Sequence, residues 1–365
     1  MSGAGKEQAM HTIPIRTGRP YDVLVGGGLL AQLGARTAAV CPRARRAALV
    51  ADDTVDALYG GRAAAALEAA GLAVSRFSFP HGEGSKTLAT YGRLLSFLAQ
   101  EELTRTDCVV ALGGGVTGDL AGFAAATYLR GVDLVQAPTT LLAAVDASVG
   151  GKTAVDLPEG KNLAGAFHQP ALVVCDTDAF STLPEEALAC GMAEQIKHGV
   201  IADEALFQML SAGRPDDMAA AVARSVAIKG AIVAGDEHDN GARQLLNLGH
   251  TAGHAVELLS GLAVPHGQAV AIGMALVARA SAAYGWCAPD VPGRIEAALV
   301  QNGLPVRCPF GAEALARAVL HDKKRRGGTV TLVIPEAVGR CALRPVPVES
   351  LAPFLAAGLA RQEGD

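Results

Sequence analysis

Short apolar runs alternate with Ala-rich stretches through the first half of the chain. Leu49-Val50-Ala51 ends at Asp52, and Val109-Val110-Ala111-Leu112, Leu134-Val135 and Leu172-Val173-Val174 follow, while Val74 to Phe79, broken by Ser and Arg, also reads as a strand. Runs of this length predict buried strands. Ala63 to Ala70, stopping at Gly71, predicts a helix with a glycine terminus. Strands alternating with helices predict a parallel sheet covered on its faces. Past residue 183 the pattern changes. Pro184-Glu185-Glu186 predicts a helix start, with Thr182 as its cap and the acids near the positive dipole end. Helical periodicity then dominates to about residue 322, and Thr329 to Ile334 predicts an isolated strand. The expected organisation is an α/β domain over 1–179 and a helical domain over 180–365.

Composition narrows the function classes. Of 365 residues, 50% are apolar, enough for two packed domains. The net charge of −5 argues against a general nucleic-acid binder but allows a local basic pocket. Seven dispersed cysteines without a Cys-x-x-Cys pair predict free thiols in a reducing compartment. The first residues lack the apolar core of a signal peptide, and the longest apolar run, Ala269 to Ala278, is too short to span a bilayer. A cytoplasmic protein with no membrane partner is expected.

Several segments carry candidate chemistry. Asn247-Leu-Gly-His-Thr-Ala-Gly-His-Ala-Val-Glu257 places His250 and His254 four apart, on one face of a helix with Asn247 and Glu257. Imidazole is a common ligand for zinc-like metals, and an open metal site needs about three protein ligands. His266 lies further along. Glu194 and Lys197 share a face of a helix with apolar neighbours, where a carboxylate needs a partner that a metal would supply. Thr251 stands where a metalloprotease helix carries its Glu. Gly113-Gly114-Gly115-Val116-Thr117-Gly118-Asp119 has the spacing G-x-G-x-x-G after a strand and before a helix, which suits a pyrophosphate. Asp52 or Glu83 could then meet a ribose, and Lys86 of His81-Gly82-Glu83-Gly84-Ser85-Lys86 a phosphate. Gly150-Gly151-Lys152-Thr153 is not a phosphate loop, because position 146 is Asp. Asp146, Lys152, Lys161 and Asn162 nevertheless suit an anionic, hydroxylated ligand. The basic run from Asp322 to Arg326 reads mainly as a solvated face.

The blocks ALGGGVTGDLAGFAAATYLRG (111–131), APTTLLAAVDASVGGKTAVDLPEGKNLAGAFHQP (137–170), GMAEQIKHG (191–199), LLNLGHTAGHAVE (245–257) and HGQAVAIGM (266–274), in this order, resemble the 3-dehydroquinate synthase family. The similarity runs from about residue 20 to 345. It implies a Rossmann-like N-terminal domain, an all-α C-terminal domain, NAD and one divalent ion, zinc or cobalt. It implies Glu194, His250 and His266 as metal ligands, which makes His254 a pocket residue instead. NAD contacts are implied for His81, Gly82, Glu83, Gly84, Ser85 and Lys86, for Gly115, Val116, Thr117, Gly118 and Asp119, and for Thr139, Thr140, Lys152, Lys161, Ala179, Phe180, Ser181 and Thr182. Substrate binding is implied for Arg130, Lys229, Arg243, Asn247 and Lys324, with Lys323 the other candidate for the last place. Catalytic roles are implied for Lys152, Lys197, Asn162, His254 and Asp146. Arg130 matches an arginine that reaches the partner subunit's site, so a homodimer is implied. The implied reaction turns 3-deoxy-D-arabino-heptulosonate 7-phosphate into 3-dehydroquinate and phosphate. Gln268, Asp239, Ala252 and Gln195 depart from the family's usual residues. Gln268 and Asp239 leave room for an amino analogue or another sugar phosphate. A metal-dependent polyol dehydrogenase and a non-catalytic metal-binding protein are the readings from other classes.

Overall fold

A computed structural model describes residues 10–239, 241–323 and 328–362. They form two compact units. The first runs to Leu183 and also takes Lys229–His238; the second holds Pro184–Ile228 and the chain from Asp239 onward. A linear boundary cannot express the return of Lys229–His238, because long-range contacts place it. Glu237 accepts from the Gly18 amide at 2.9 Å and from Gln169 Nε2 at 2.8 Å.

The first unit is built on a seven-stranded sheet. Its strands are β1 (His11–Ile15), β2 (Tyr21–Gly26), β3 (Arg46–Asp52), β4 (Ala73–Phe79), β5 (Cys108–Gly113), β6 (Asp133–Pro138) and, after the separate hairpin of β7 (Lys152–Leu157) and β8 (Gly160–Phe167), β9 (Leu172–Asp176). The order is β1-β2-β9-β6-β5-β3-β4. All neighbours are parallel except β1 with β2. The helices of this unit are α1 (Leu33–Val40), the single turn α2 (Asp53–Val55), α3 (Gly61–Ala69), α4 (Leu88–Gln100) and α5 (Gly115–Thr127). Leu49 and Ala51 of β3 and Val110 and Leu112 of β5 pack with Leu33, Ala63 and Leu67 of α1 and α3. Ala48, Val50, Val109 and Ala111 pack with Leu94, Leu98, Leu120 and Ala124 of α4 and α5. Both faces of the central strands are covered, so β3, β5, β6 and β9 read as mainly apolar runs.

From β3 the chain steps outward to β4, then returns past β3 to β5 and on to β6. The connections leave the carboxyl ends of β3 and β5 in opposite directions, which opens a crevice there.

The second unit contains α6 (Glu185–Ala202), α7 (Glu204–Ser211), the first turns of α8 (Met218–Gly235), α9 (His250–Leu259), α10 (His266–Ala283), α11 (Val291–Gln301), α12 (Ala312–Lys323) and α13 (Val348–Ala360). α10 is buried along most of its length and packs against α6, α9, α11 and α13. A helix apolar on nearly every side belongs at the centre of a bundle.

Two expectations fail here. Thr329 to Ile334 is not isolated: β10 (Thr329–Ala337) pairs antiparallel with β11 (Arg340–Pro347), so the helical unit carries one β-hairpin. β11 holds two prolines and faces mostly outward, which hides its alternation. Thr182 does not cap α6. Its hydroxyl donates to Ala179 O and meets Tyr59 OH at 2.6 Å, and the N-cap position is Pro184. Among the described residues α8 alone has the length and hydropathy of a membrane span. It nonetheless pairs Arg224 with Asp203 at 2.8 Å and Lys229 with Asp146 at 2.6 Å.

Candidate active site

Glycines bring three helices of the second unit close enough to share a ligand. A Cβ on Gly267, beside His266 at the start of α10, would stand 2.3 Å from Cys190 Cα of α6. A Cβ on Gly273 would stand 2.0 Å from the Gly249 carbonyl, and one on Gly253 would stand 2.9 Å from Ala269 O. α6, α9 and α10 therefore meet backbone to backbone. Gly249 adopts φ 79, a left-handed conformation that L side chains rarely adopt, and starts α9 at His250. This break puts Asn247 at the end of a separate 3-10 turn, Ala242–Asn247, rather than on the face of His250 as the spacing suggested.

Glu194, His250 and His266 converge. Glu194 Oε1 lies 3.5 Å from His250 Nε2 and 3.6 Å from His266 Nε2. Donors about 2.0–2.1 Å from a tetrahedral ion stand about 3.4 Å apart, so this spacing fits one ion. Oε1 is fully buried and has no hydrogen-bond partner, while Oε2 is paired with Lys197. A buried carboxylate oxygen aimed at two imidazole nitrogens is a donor set for a divalent cation.

The charges suit a cation at Glu194 and His250, while His266 has a proton to give up to it. Burial pushes the Glu194 carboxyl up, but Lys197 and then the two imidazoles outweigh it and hold the group well below the usual range. Burial, with Lys197 beside it, holds His250 well below the ordinary imidazole value, leaving it neutral as a ligand must be. Burial lowers His266, but hydrogen bonding and attraction to Glu194 and Glu257 prevail and raise it to about 10. His254 is exposed on α9, its ring centroid 5.4 Å from that of His250 and 6.0 Å from that of His266. Glu257, noted in the sequence only for its helix face, is buried with Oε2 at 3.3 Å from His266 Nδ1. Arg243 is also buried in this unit, whereas Asn247 is exposed. Lys324 lies outside the described residues.

In the first unit, the segments expected to meet NAD follow the carboxyl ends of successive parallel strands. His81 to Lys86 follows β4, Gly115 to Asp119 follows β5, Thr139 and Thr140 follow β6, and Ala179 to Thr182 follows β9. Gly114 starts α5 with no side-chain cap, so its first N–H groups are available to an anion. Gly113 and Gly118 allow close packing, since a Cβ would come within 2.4 Å of Thr117 Oγ1 and 2.9 Å of Gln136 Oε1 respectively. The Thr139 hydroxyl is buried without a partner. These features fit a dinucleotide.

The individual charges differ from the simplest sequence reading. Lys86 is buried and clamped by Asp119 at 2.6 Å and Asn162 Oδ1 at 2.5 Å, rather than standing open to a phosphate. Burial raises Asp119 to about 6 against the pull of Lys86. Asp52 caps α2 by accepting from the Val55 amide, Asp53 holds His81 Nδ1 at 2.8 Å, and Glu83 lies 3.8 Å from Lys161 and 4.0 Å from Lys86. Phe180 and Ala179 are buried, and the Ala179 carbonyl accepts from Tyr59 OH at 3.2 Å; they anchor their turn. Lys152, Lys161 and Asn162 are exposed on the β7–β8 hairpin, and Lys229 holds Asp146 through both its carboxylate and its carbonyl. Gln268 donates to Glu186 Oε1 at 3.0 Å on the exposed start of α6.

Comparison with known proteins agrees with both halves. Residues 76–190 match the model of the 3-dehydroquinate synthase N-terminal domain, and residues 191–325 match that of the C-terminal domain. The 3-dehydroquinate synthase of Caulobacter vibrioides is 48% identical over 346 residues, covering 90% of this chain and 94% of that protein. That of Symbiobacterium thermophilum is 47% identical, covering 89% and 94%. Among solved structures, 2-epi-5-epi-valiolone synthase from Streptomyces hygroscopicus subsp. jinggangensis 5008, with NAD+ and Zn2+ bound, is 28% identical, with a TM-score of 0.85 and 100% of each chain covered. The chain belongs to the 3-dehydroquinate synthase family.

Proposed function

We propose that this protein is a carbon–oxygen lyase acting on a sugar phosphate, converting 3-deoxy-D-arabino-heptulosonate 7-phosphate to 3-dehydroquinate and phosphate. The observation that carries the reading is the convergence of Glu194, His250 and His266, in a chain whose relatives of 45–48% identity are 3-dehydroquinate synthases. NAD, when bound, supplies a reversible hydride acceptor, and a divalent zinc or cobalt ion supplies a Lewis acid toward hydroxyl oxygens. NAD is held by the strand-end segments that follow β4, β5, β6 and β9.

The protein's own groups do the rest. Lys152, Lys229, Arg243 and Lys324 answer the phosphate and carboxylate of the substrate. Asp146 orients Lys229, with which it is paired. Asn162 and His254 orient substrate hydroxyls, and Lys197, held on Glu194, moves a proton beside the metal ligands. Asn247 adds a hydrogen-bonding group. The carboxylate-bearing substrate is supported by retention of these cations. Gln268, one of the two departures that leave room for another substrate, hydrogen-bonds Glu186 on the exposed start of α6. The working state is a homodimer in which Arg130 serves the partner's site. Leu129 and Arg130 adopt φ 50 and φ 70, a strain that sets an exposed arginine forward. The seven free cysteines support a cytoplasmic compartment.

Phosphate release from this substrate, measured with and without chelator while NADH is followed at the same time, tests the proposal. Metal-dependent release with no net NADH is expected. Accumulation of NADH without phosphate would make the protein a dehydrogenase instead.

A further inference from the structure

Both imidazoles of the ligand set are gripped by the nitrogen that points away from Glu194. His250 Nε2 faces Glu194 Oε1 at 3.5 Å, while its Nδ1 lies 3.2 Å from the Leu248 carbonyl. His266 Nε2 faces the same oxygen at 3.6 Å, while its Nδ1 lies 3.3 Å from Glu257 Oε2. A carbonyl or carboxylate at Nδ1 requires the proton there, which leaves the Nε2 lone pair for a cation. The two acceptors differ in one respect: that of His250 is neutral, and that of His266 is ionisable and buried, Glu257 being 7% exposed. A buried carboxylate is costly unless its charge is used.

We infer that Glu257 is a positioning residue of the metal centre. It fixes His266 in the Nδ1–H tautomer and, through its negative charge, makes His266 the stronger donor of the two histidines. α9 supplies this carboxylate two turns beyond His250, so one helix presents a ligand near its start and the support for the other ligand further along. The close approach at Gly253 and Gly273 sets the α9–α10 spacing that the Glu257–His266 bond requires. The inference rests on His266 being a metal ligand. Glu257, His254 and His266 also place a donor atom each within 4.8 Å of one another, so direct ligation by Glu257 is the competing arrangement.

Zinc affinity, measured by chelator competition, and the visible absorption of the cobalt-loaded protein distinguish these cases. The variants are Glu257→Gln, Glu257→Ala and Glu194→Ala, each compared with the parent for NAD binding and far-ultraviolet dichroism. Glu257→Gln keeps the shape and an acceptor but loses the charge, and should weaken zinc by about 10- to 100-fold. Its cobalt bands should shift while their intensity stays that of the same coordination number. Glu257→Ala should weaken zinc further, and Glu194→Ala should abolish tight binding. Binding within about twofold of the parent in both Glu257 variants would overturn the inference, since an outer carboxylate is expected to matter at least 10-fold. Loss in Glu257→Gln as complete as in Glu194→Ala would overturn it too, making Glu257 a ligand. A parent protein that binds no ion tightly, or a Glu194→Ala variant that binds one normally, would remove the ligand set itself and this inference with it.

Discussion

A fully buried carboxylate is stable only while its charge is answered, and Glu194 is answered by Lys197 on one oxygen and two imidazoles on the other. In the metal-free protein Lys197→Met leaves that charge buried with only the two imidazoles, which should cost about 3–5 kcal/mol in urea unfolding. The loss should shrink when zinc is added. A variant as stable as the parent without metal would mean that Glu194 is not held as an anion. His266 supplies a pH test. Its folded value, about 10, lies above the ordinary imidazole value because the pull of Glu194 and Glu257 exceeds the effect of burial. A raised value stabilises the metal-free fold fully below the unfolded pKa, and that contribution is lost as pH rises toward about 10. A metal bound at Nε2 must displace the proton, so zinc binding near neutral pH should release about one proton and tighten about tenfold per pH unit. Titration calorimetry in buffers of different ionisation heat reads this directly, and identical heats in all buffers would contradict it. Single residues were only partly legible in the sequence. Glu194, His250 and His266 share no local spacing and came from the family resemblance, whereas the clamp of Lys86 between Asp119 and Asn162 is long-range and left no trace in the loop's composition.

Strands and helices show a different balance. Apolar runs located β3, β5, β6 and β9, because burial on both faces leaves an unmistakable composition; β4, half exposed at the sheet edge, was found without that signature. β11 escaped notice because an exposed, proline-containing edge has no such signature. Nothing in the sequence marks the glycines of α9 and α10 as packing positions, yet they decide how closely the helices approach. Gly267→Ala would press a methyl carbon to 2.3 Å from Cys190 Cα, against backbone that cannot rotate away. The start of α10 must then lift from α6 and carry His266 with it. The expected result is a loss of about 1–3 kcal/mol in stability, with weaker zinc binding and unchanged NAD binding. Thermal unfolding and chelator competition measure the two effects. Zinc affinity equal to the parent's would show that α10 can shift without disturbing the ligands.

For the whole molecule, the proposed sharing of Arg130 between subunits makes activity a property of the pair. The left-handed backbone at Leu129 and Arg130, continued by Gly131 at φ 121, ends α5 in a turn that costs free energy and exposes both side chains. The proposed use of Arg130 by the partner subunit would account for that cost. Suppose Lys152 acts in its own subunit and Arg130 in the partner's. Homodimers of Lys152→Ala and of Arg130→Ala should then both be inactive, each lacking one group at both sites. In a mixed dimer one site lacks both groups, but the other receives Lys152 from the Arg130→Ala chain and Arg130 from the Lys152→Ala chain. Random reassortment of equal amounts makes half the dimers mixed, so about a quarter of all sites should recover. Mixing the two inactive variants, dissociating and reassociating them, and then measuring phosphate release decides the matter. If the mixture stays as inactive as its parts while native mass spectrometry confirms mixed dimers, Arg130 acts within its own chain, and the strained turn needs a different use.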